Sequence, residues 1–100
     1  MPSQKVILLA QAEVRPESRD EIIAIAKATL ELTLLERGCE TFYQTSVEDD
    51  PNKLVFFEVF HSEQDYEIHL SQEYAKRFFA SLEGKLIAPP TFTRLTNLFV

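Results

Sequence analysis

The run Leu54-Val55-Phe56-Phe57-Glu58-Val59-Phe60 sets the tightest limit on how this chain folds. Successive side chains of a strand point to opposite faces. This run is therefore apolar on both faces, except at Glu58. A strand of that kind must be covered on both sides, which places it in the interior of a sheet. Lys5 to Val14 reads the same way. Val6, Leu8, Ala10, Ala12 and Val14 share one face, while Ile7 and Leu9 keep the first half of the other face apolar. Two such strands in a chain of 100 residues leave room for one core and one domain, residues 1–100.

The rest of the chain alternates helix and strand signals. Arg15-Pro16 ends the first strand, and Ser18-Arg19-Asp20-Glu21 reads as a capping box. Ile22, Ile25, Thr29, Leu32 and Leu35 then recur at helical spacing until Gly38. Cys39 to Val47 has strand composition. Asp49-Asp50-Pro51-Asn52 marks a turn, so this strand and Leu54–Phe60 form an antiparallel hairpin. Ser62 opens a second helix, with Tyr66 and Ile68 or Leu70 starting its apolar face. Ser71 offers a second cap, which predicts two short helices with a bend. Tyr74, Phe78, Phe79 and Leu82 continue the stripe to Glu83-Gly84, and Thr91 to Phe99 is the last strand. The order βαββαβ is the split βαβ, or ferredoxin-like, α+β fold: a four-stranded antiparallel sheet with its helices on one face. The opposite face is apolar too, and a second copy of the chain is its simplest cover.

Charge and cysteine content exclude several classes. Sixteen acidic against ten basic residues give a net charge of -6, a poor match to a phosphate backbone, so no nucleic-acid partner is expected. A single cysteine, Cys39, rules out an internal disulfide framework. No apolar run approaches the ~20 residues that span a bilayer, and the opening Met-Pro-Ser-Gln-Lys does not read as a signal peptide. The default is a soluble cytoplasmic protein without a membrane partner.

The chain has two glycines, no phosphate loop, no Cys/His metal spacing and no serine elbow. Any chemistry must rest on scattered polar groups in an apolar cavity. Glu58 stands out, because an isolated buried carboxylate is costly unless it is paired, hydrogen-bonded or neutralised. It is read either as a general base or substrate-orienting acceptor, or as part of a structural network. His69 lies four residues after Asp65 and three after Tyr66, so the three can share a helix face, with Asp65 orienting the ring. It is read either as a proton shuttle or as a satisfied histidine of the core or helix surface. Phe56, Phe57, Phe60, Phe78 and Phe79 can line a flat-ligand pocket or simply form core. Tyr43, Tyr66 and Tyr74 offer polar tips to a ligand oxygen. Cys39 reads as an inert small hydrophobe.

Lys5–Val14 followed by Arg15-Pro16-Glu17, then Glu36-Arg37-Gly38-Cys39, resembles the opening of the antibiotic biosynthesis monooxygenase superfamily. Asp49-Asp50-Pro51-Asn52-Lys53 leading into Phe56-Phe57-Glu58-Val59-Phe60 extends the likeness, as do His69-Leu70-Ser71 and Phe78-Phe79. The resemblance implies a homodimeric α/β barrel of ferredoxin-like subunits. It also implies cofactor-free oxidation of quinol-like or polycyclic aromatics by O2, with no flavin and no metal. On that basis Glu58 and His69 are the expected catalytic residues. Tyr43, Phe56, Phe60, Tyr66, Tyr74, Phe78 and Phe79 are the expected substrate contacts. The family's third strand commonly ends in Glu-x-Trp, and Phe60 stands here in place of that Trp. The chain has no Trp at all, which disfavours the haem-degrading branch. Two alternatives are an isomerase or degradative enzyme for a small signalling metabolite and a non-catalytic ligand-binding dimer. A phosphorylated metabolite would call on Lys27, Arg77 or Arg94.

Overall fold

Alternating burial along two central strands organises the fold. The computed structural model describes residues 4–99, so the start of the opening segment, Met1 to Ser3, lies outside the described residues. Strand β1 (Val6–Glu13) leads through a short 3-10 turn (Pro16–Ser18) into helix α1 (Arg19–Thr33). Strands β2 (Cys39–Val47) and β3 (Asp50–Phe60) form the hairpin. Helices α2 (Glu63–Ser71) and α3 (Glu73–Ser81) follow, and β4 (Thr91–Leu95) closes the sheet. The sheet order is β2-β3-β1-β4 and every pairing is antiparallel, which is the expected ferredoxin-like topology. Among the described residues no helix is long and apolar enough to cross a membrane.

Register fixes which residues meet. Leu8 lies opposite Glu58, and Glu58 lies opposite Phe42 on the other side. Ala10 pairs with Phe56 and Ala12 with Leu54. These residues share the face covered by the helices, where Val14, Ile22, Ala26, Leu54, Phe56 and Leu82 form the core. Tyr43 pairs with Phe57 one residue out of phase, so both point to the opposite face.

Several local expectations are corrected. Ser18 makes no side-chain cap, since the 3-10 turn entering α1 gives it a helical conformation rather than the extended one a cap requires. The buried stripe of α1 is Ile22, Ala26, Thr29 and Thr33, while Leu32 and Leu35 are exposed. Both threonines donate to the carbonyl four residues back at 2.8 Å, which satisfies their hydroxyls and lets them pack inside. The hairpin turn falls at Glu48-Asp49, so β3 begins at Asp50 rather than Leu54. Ile68 and Leu70 are not the buried face of α2; His69 is. The bend after α2 is present, but it falls at the extended Gln72, and Ser71 instead donates to Ile68 O. β4 ends at Leu95, four residues short of the expected end.

Gly38 has a role other than ending a helix, because α1 has already stopped at Thr33. A Cβ on Gly38 would stand 2.4 Å from Asp65 Cβ. The missing side chain lets the α1–β2 loop press directly against α2. His61 N–H donates to Gly38 O at 2.9 Å and ties the same loop to the end of β3.

Candidate functional site

The helix-covered face of the sheet does not close completely. An apolar cavity of about 50 Å³ remains between the sheet, α2 and α3. Phe42, Phe56 and Phe78 form much of its wall, and it reaches the surface beside Phe79 and Phe92, whose rings meet edge to face. Both rings are about half-exposed. An enclosed cavity of about 150 Å³ holds benzene. The enclosed space is thus smaller than one aromatic ring needs, and its open side lies beside these two rings.

Three ionisable side chains line this cavity: Glu58, Tyr66 and His69. No lysine or arginine does so among the described residues. Glu58 is held inward by β3, an interior strand between β2 and β1, with only 6% of its surface exposed. Burial pushes its carboxyl up to about 8, with no charged neighbour contributing. At neutral pH it is therefore mostly the uncharged acid, a hydrogen-bond donor as well as an acceptor. A carboxyl raised into this range can serve a ligand as an acid or hydrogen-bond donor and, in its ionised fraction, as a base.

His69 reaches the cavity from the last turn of α2 and is 5% exposed. Its Nδ1 lies 2.8 Å from Glu36 Oε2. The same oxygen accepts a hydrogen bond from the Tyr74 hydroxyl. Phe60, fully buried, packs at 4.9 Å behind the imidazole. Asp65, the expected orienting group, is instead turned to the start of its own helix. There its backbone N–H donates to Ser62 Oγ at 3.1 Å, and Ser62 Oγ donates back to Asp65 Oδ2 at 3.0 Å.

The expected ligand contacts divide. Phe56, Tyr66, Phe78 and Phe79 reach the cavity together with Glu58 and His69. Phe60 and Tyr74 stand one layer back, against His69 and Glu36 respectively. Tyr43 is 63% exposed on the opposite sheet face, because β2 presents Phe42 rather than Tyr43 to the helices. Phe57 shares that outer face. Tyr66 lies under the Arg94 guanidinium, 5.0 Å from its ring centre, and burial raises its hydroxyl above the usual range. Arg94 is itself paired with Glu63 through two contacts, at 2.9 and 3.1 Å. The Cys39 thiol is pushed up to about 11, first by burial and then by the Glu36 and Glu58 carboxyls, which suits an unreactive side chain. Sequence reading missed Glu36, Phe42 and Phe92. A strict period-two reading of β2 from its pairing with Glu58 finds Phe42, whereas Glu36 carries no local signal. Among the described residues no cluster of three or more His, Cys, Asp or Glu side chains is placed to hold a metal ion.

Comparison with known proteins agrees with this architecture. The family model for antibiotic biosynthesis monooxygenase matches residues 5–81. An uncharacterised protein of Synechocystis is 27% identical over 86 residues, which cover 84% of this chain. The match spans 57% of that relative's length. Among solved structures, one from Mycobacterium tuberculosis superposes with a TM-score of 0.87 at 26% identity, covering 94% of this chain and 95% of that one. A conserved protein of Methanosarcina mazei gives 0.87 at 22% identity, over 95% and 94% of the two chains. A Nitrosomonas europaea protein named for the same family gives 0.89 at 15% identity, over 99% and 95%. The last two likenesses speak to the fold. The family-model match, together with the split βαβ sheet and the inward Glu58, makes this chain a member of the antibiotic biosynthesis monooxygenase family.

Proposed function

We propose that the protein is a cofactor-independent monooxygenase that oxidises a small quinol-like or polycyclic aromatic with O2. The observation that carries this reading is the apolar, aromatic-walled cavity whose ionisable lining is Glu58, Tyr66 and His69 alone among the described residues. Family membership supports a monooxygenase-like role in general. The cavity supports the finer statement, because a flat aromatic gains from apolar walls and its phenol needs a single base. His69 Nε2 takes the phenolic proton. Glu58, uncharged at neutral pH, donates a hydrogen bond to the substrate oxygen on which negative charge develops. The substrate anion supplies the electrons, so the reading requires neither flavin nor metal. A quinol and O2 give a hydroxyquinone and water: one oxygen atom joins a ring carbon, the other leaves as water, and four electrons come from the substrate. With ¹⁸O2, one labelled atom is expected in the product, seen by mass spectrometry. A product labelled only from water would contradict the reading.

The alternative of a phosphorylated metabolite loses support, since the cavity lining has no cation among the described residues and Arg94 is engaged by Glu63. The outer sheet face carries Ile7, Leu9, Val55 and Phe57 only partly covered, with Tyr43 and Leu95 exposed. A homodimer joined through this face is part of the same proposal. Light scattering on a dilute sample is expected to give twice the chain mass, and a clean monomer would rule the dimer out.

A further inference from the structure

We propose that Glu36 is the positioning residue of this site: braced by Tyr74, it holds His69 with Nδ1–H donated to its carboxylate and Nε2 left free for the ligand. The inference rests on the reading of His69 as the base, and goes beyond it by naming what makes it one.

The geometry argues for a built arrangement. Glu36 is 33 residues from His69 and 38 from Tyr74, so the tertiary fold brings the three together. The Glu36 side chain is 11% exposed and that of His69 7%, unlike a solvated surface pair. Both donors converge on one oxygen, Oε2. A carboxylate offers Nδ1 an acceptor and no donor, and a neutral ring that donates from Nδ1 presents a bare Nε2. Tyr74 has its hydroxyl proton held well above the usual range by burial and by Glu36, so it remains a donor.

The backbone under Glu36 is fixed as well. Glu36 N–H donates to Thr33 O at 3.0 Å, and Cys39 N–H donates to Glu36 O at 3.2 Å. Two residues on, the bare Gly38 seats the loop against Asp65 of α2, the helix that carries His69. The carboxylate and the imidazole therefore belong to one clamped unit. An orienting carboxylate of this kind selects the tautomer and stabilises the imidazolium that forms when the ring takes a proton.

The test uses the whole protein labelled with ¹⁵N-histidine. His61→Gln removes the second ring and assigns the spectrum. Long-range ¹H–¹⁵N correlations of the neutral His69 ring are expected to show the Nδ1–H form. Glu36→Gln keeps an acceptor without charge and should keep this tautomer, while Glu36→Leu should lose it. With 1,4-naphthoquinol as the probe, kcat should fall about 10-fold in Glu36→Gln and about 100-fold in Glu36→Leu, at nearly unchanged KM. A residue that merely anchors the loop would lower the melting temperature and leave kcat of the folded protein alone. An Nε2–H ring in the wild type overturns the inference, as does wild-type kcat in Glu36→Gln. If Glu36→Leu does not fold, those two measurements still decide. If the wild type does not turn over naphthoquinol, the tautomer alone decides whether Glu36 sets His69, and the reading of the reaction is decided separately by the wider aromatic panel.

Discussion

Replacing His69 with alanine is expected to lower kcat by about 10²- to 10⁴-fold, the usual contribution of a positioned general base. KM should change far less, because the aromatic walls remain. The size follows from the site's composition. Glu58 is mostly protonated at neutral pH and the Tyr66 hydroxyl is raised by its burial, so the ionised fraction of each is small there. The loss should appear as oxygen uptake falling toward the rate of autoxidation. His69→Ala also leaves the Glu36 carboxylate with Tyr74 as its remaining side-chain donor. Some loss of stability should accompany the loss of rate, and circular dichroism separates the two. Unchanged turnover in a folded His69→Ala protein would remove the base from the account.

Glu58 governs the second large effect, which is on stability as a function of pH. Its carboxyl lies at about 8 in the fold against 4.5 for the ordinary group. Between those values the folded state binds more protons than the unfolded state, so stability falls as pH rises. The decline spans pH ~5 to ~8 at up to ~1.4 kcal/mol per unit, on the order of 3 kcal/mol in all. Glu58→Gln keeps the shape and the hydrogen-bonding capacity but cannot ionise. It should remove this slope and make the protein more stable than the wild type at pH 8. Urea unfolding at pH 5, 6.5 and 8 measures both curves. Parallel curves would mean that Glu58 is ionised throughout, with a partner on or beyond this chain. The same variant should retain much of its activity at neutral pH, because an amide N–H can replace the acid as donor. That separates Glu58 from His69 by role.

The sheet was readable because two strands are apolar on both faces and the turns between elements are marked. β1 and β3 sit where Val6–Val14 and Leu54–Phe60 require, beside each other in the interior. The helix stripe was harder. Ala26 and Thr33 are buried where the larger Leu32 and Leu35 attract the eye, since close helix–sheet approach favours small residues and a threonine can satisfy itself on its own helix. In the site, Glu58 and His69 were legible as polar residues out of keeping with their surroundings. Their environment was not. Asp65 is the local candidate for orienting His69, yet helix capping claims it. Glu36 precedes Arg37-Gly38 and reads as an ordinary helix-end charge until the fold carries α2 and α3 against it. Tyr43 shows the opposite error. An aromatic hydroxyl attracts a functional reading, and a shift of one residue in strand phase places it on the other side of the sheet.

The proposed oxidation is tested most directly by oxygen uptake of chelator-treated protein over hydroquinones, naphthoquinols and anthrones, compared with autoxidation and with His69→Ala and Glu58→Gln. Uptake above autoxidation is expected for at least one aromatic, abolished in His69→Ala and largely kept in Glu58→Gln at pH 7. Equal uptake by the wild type and His69→Ala, or none above autoxidation across the panel, would contradict the proposal.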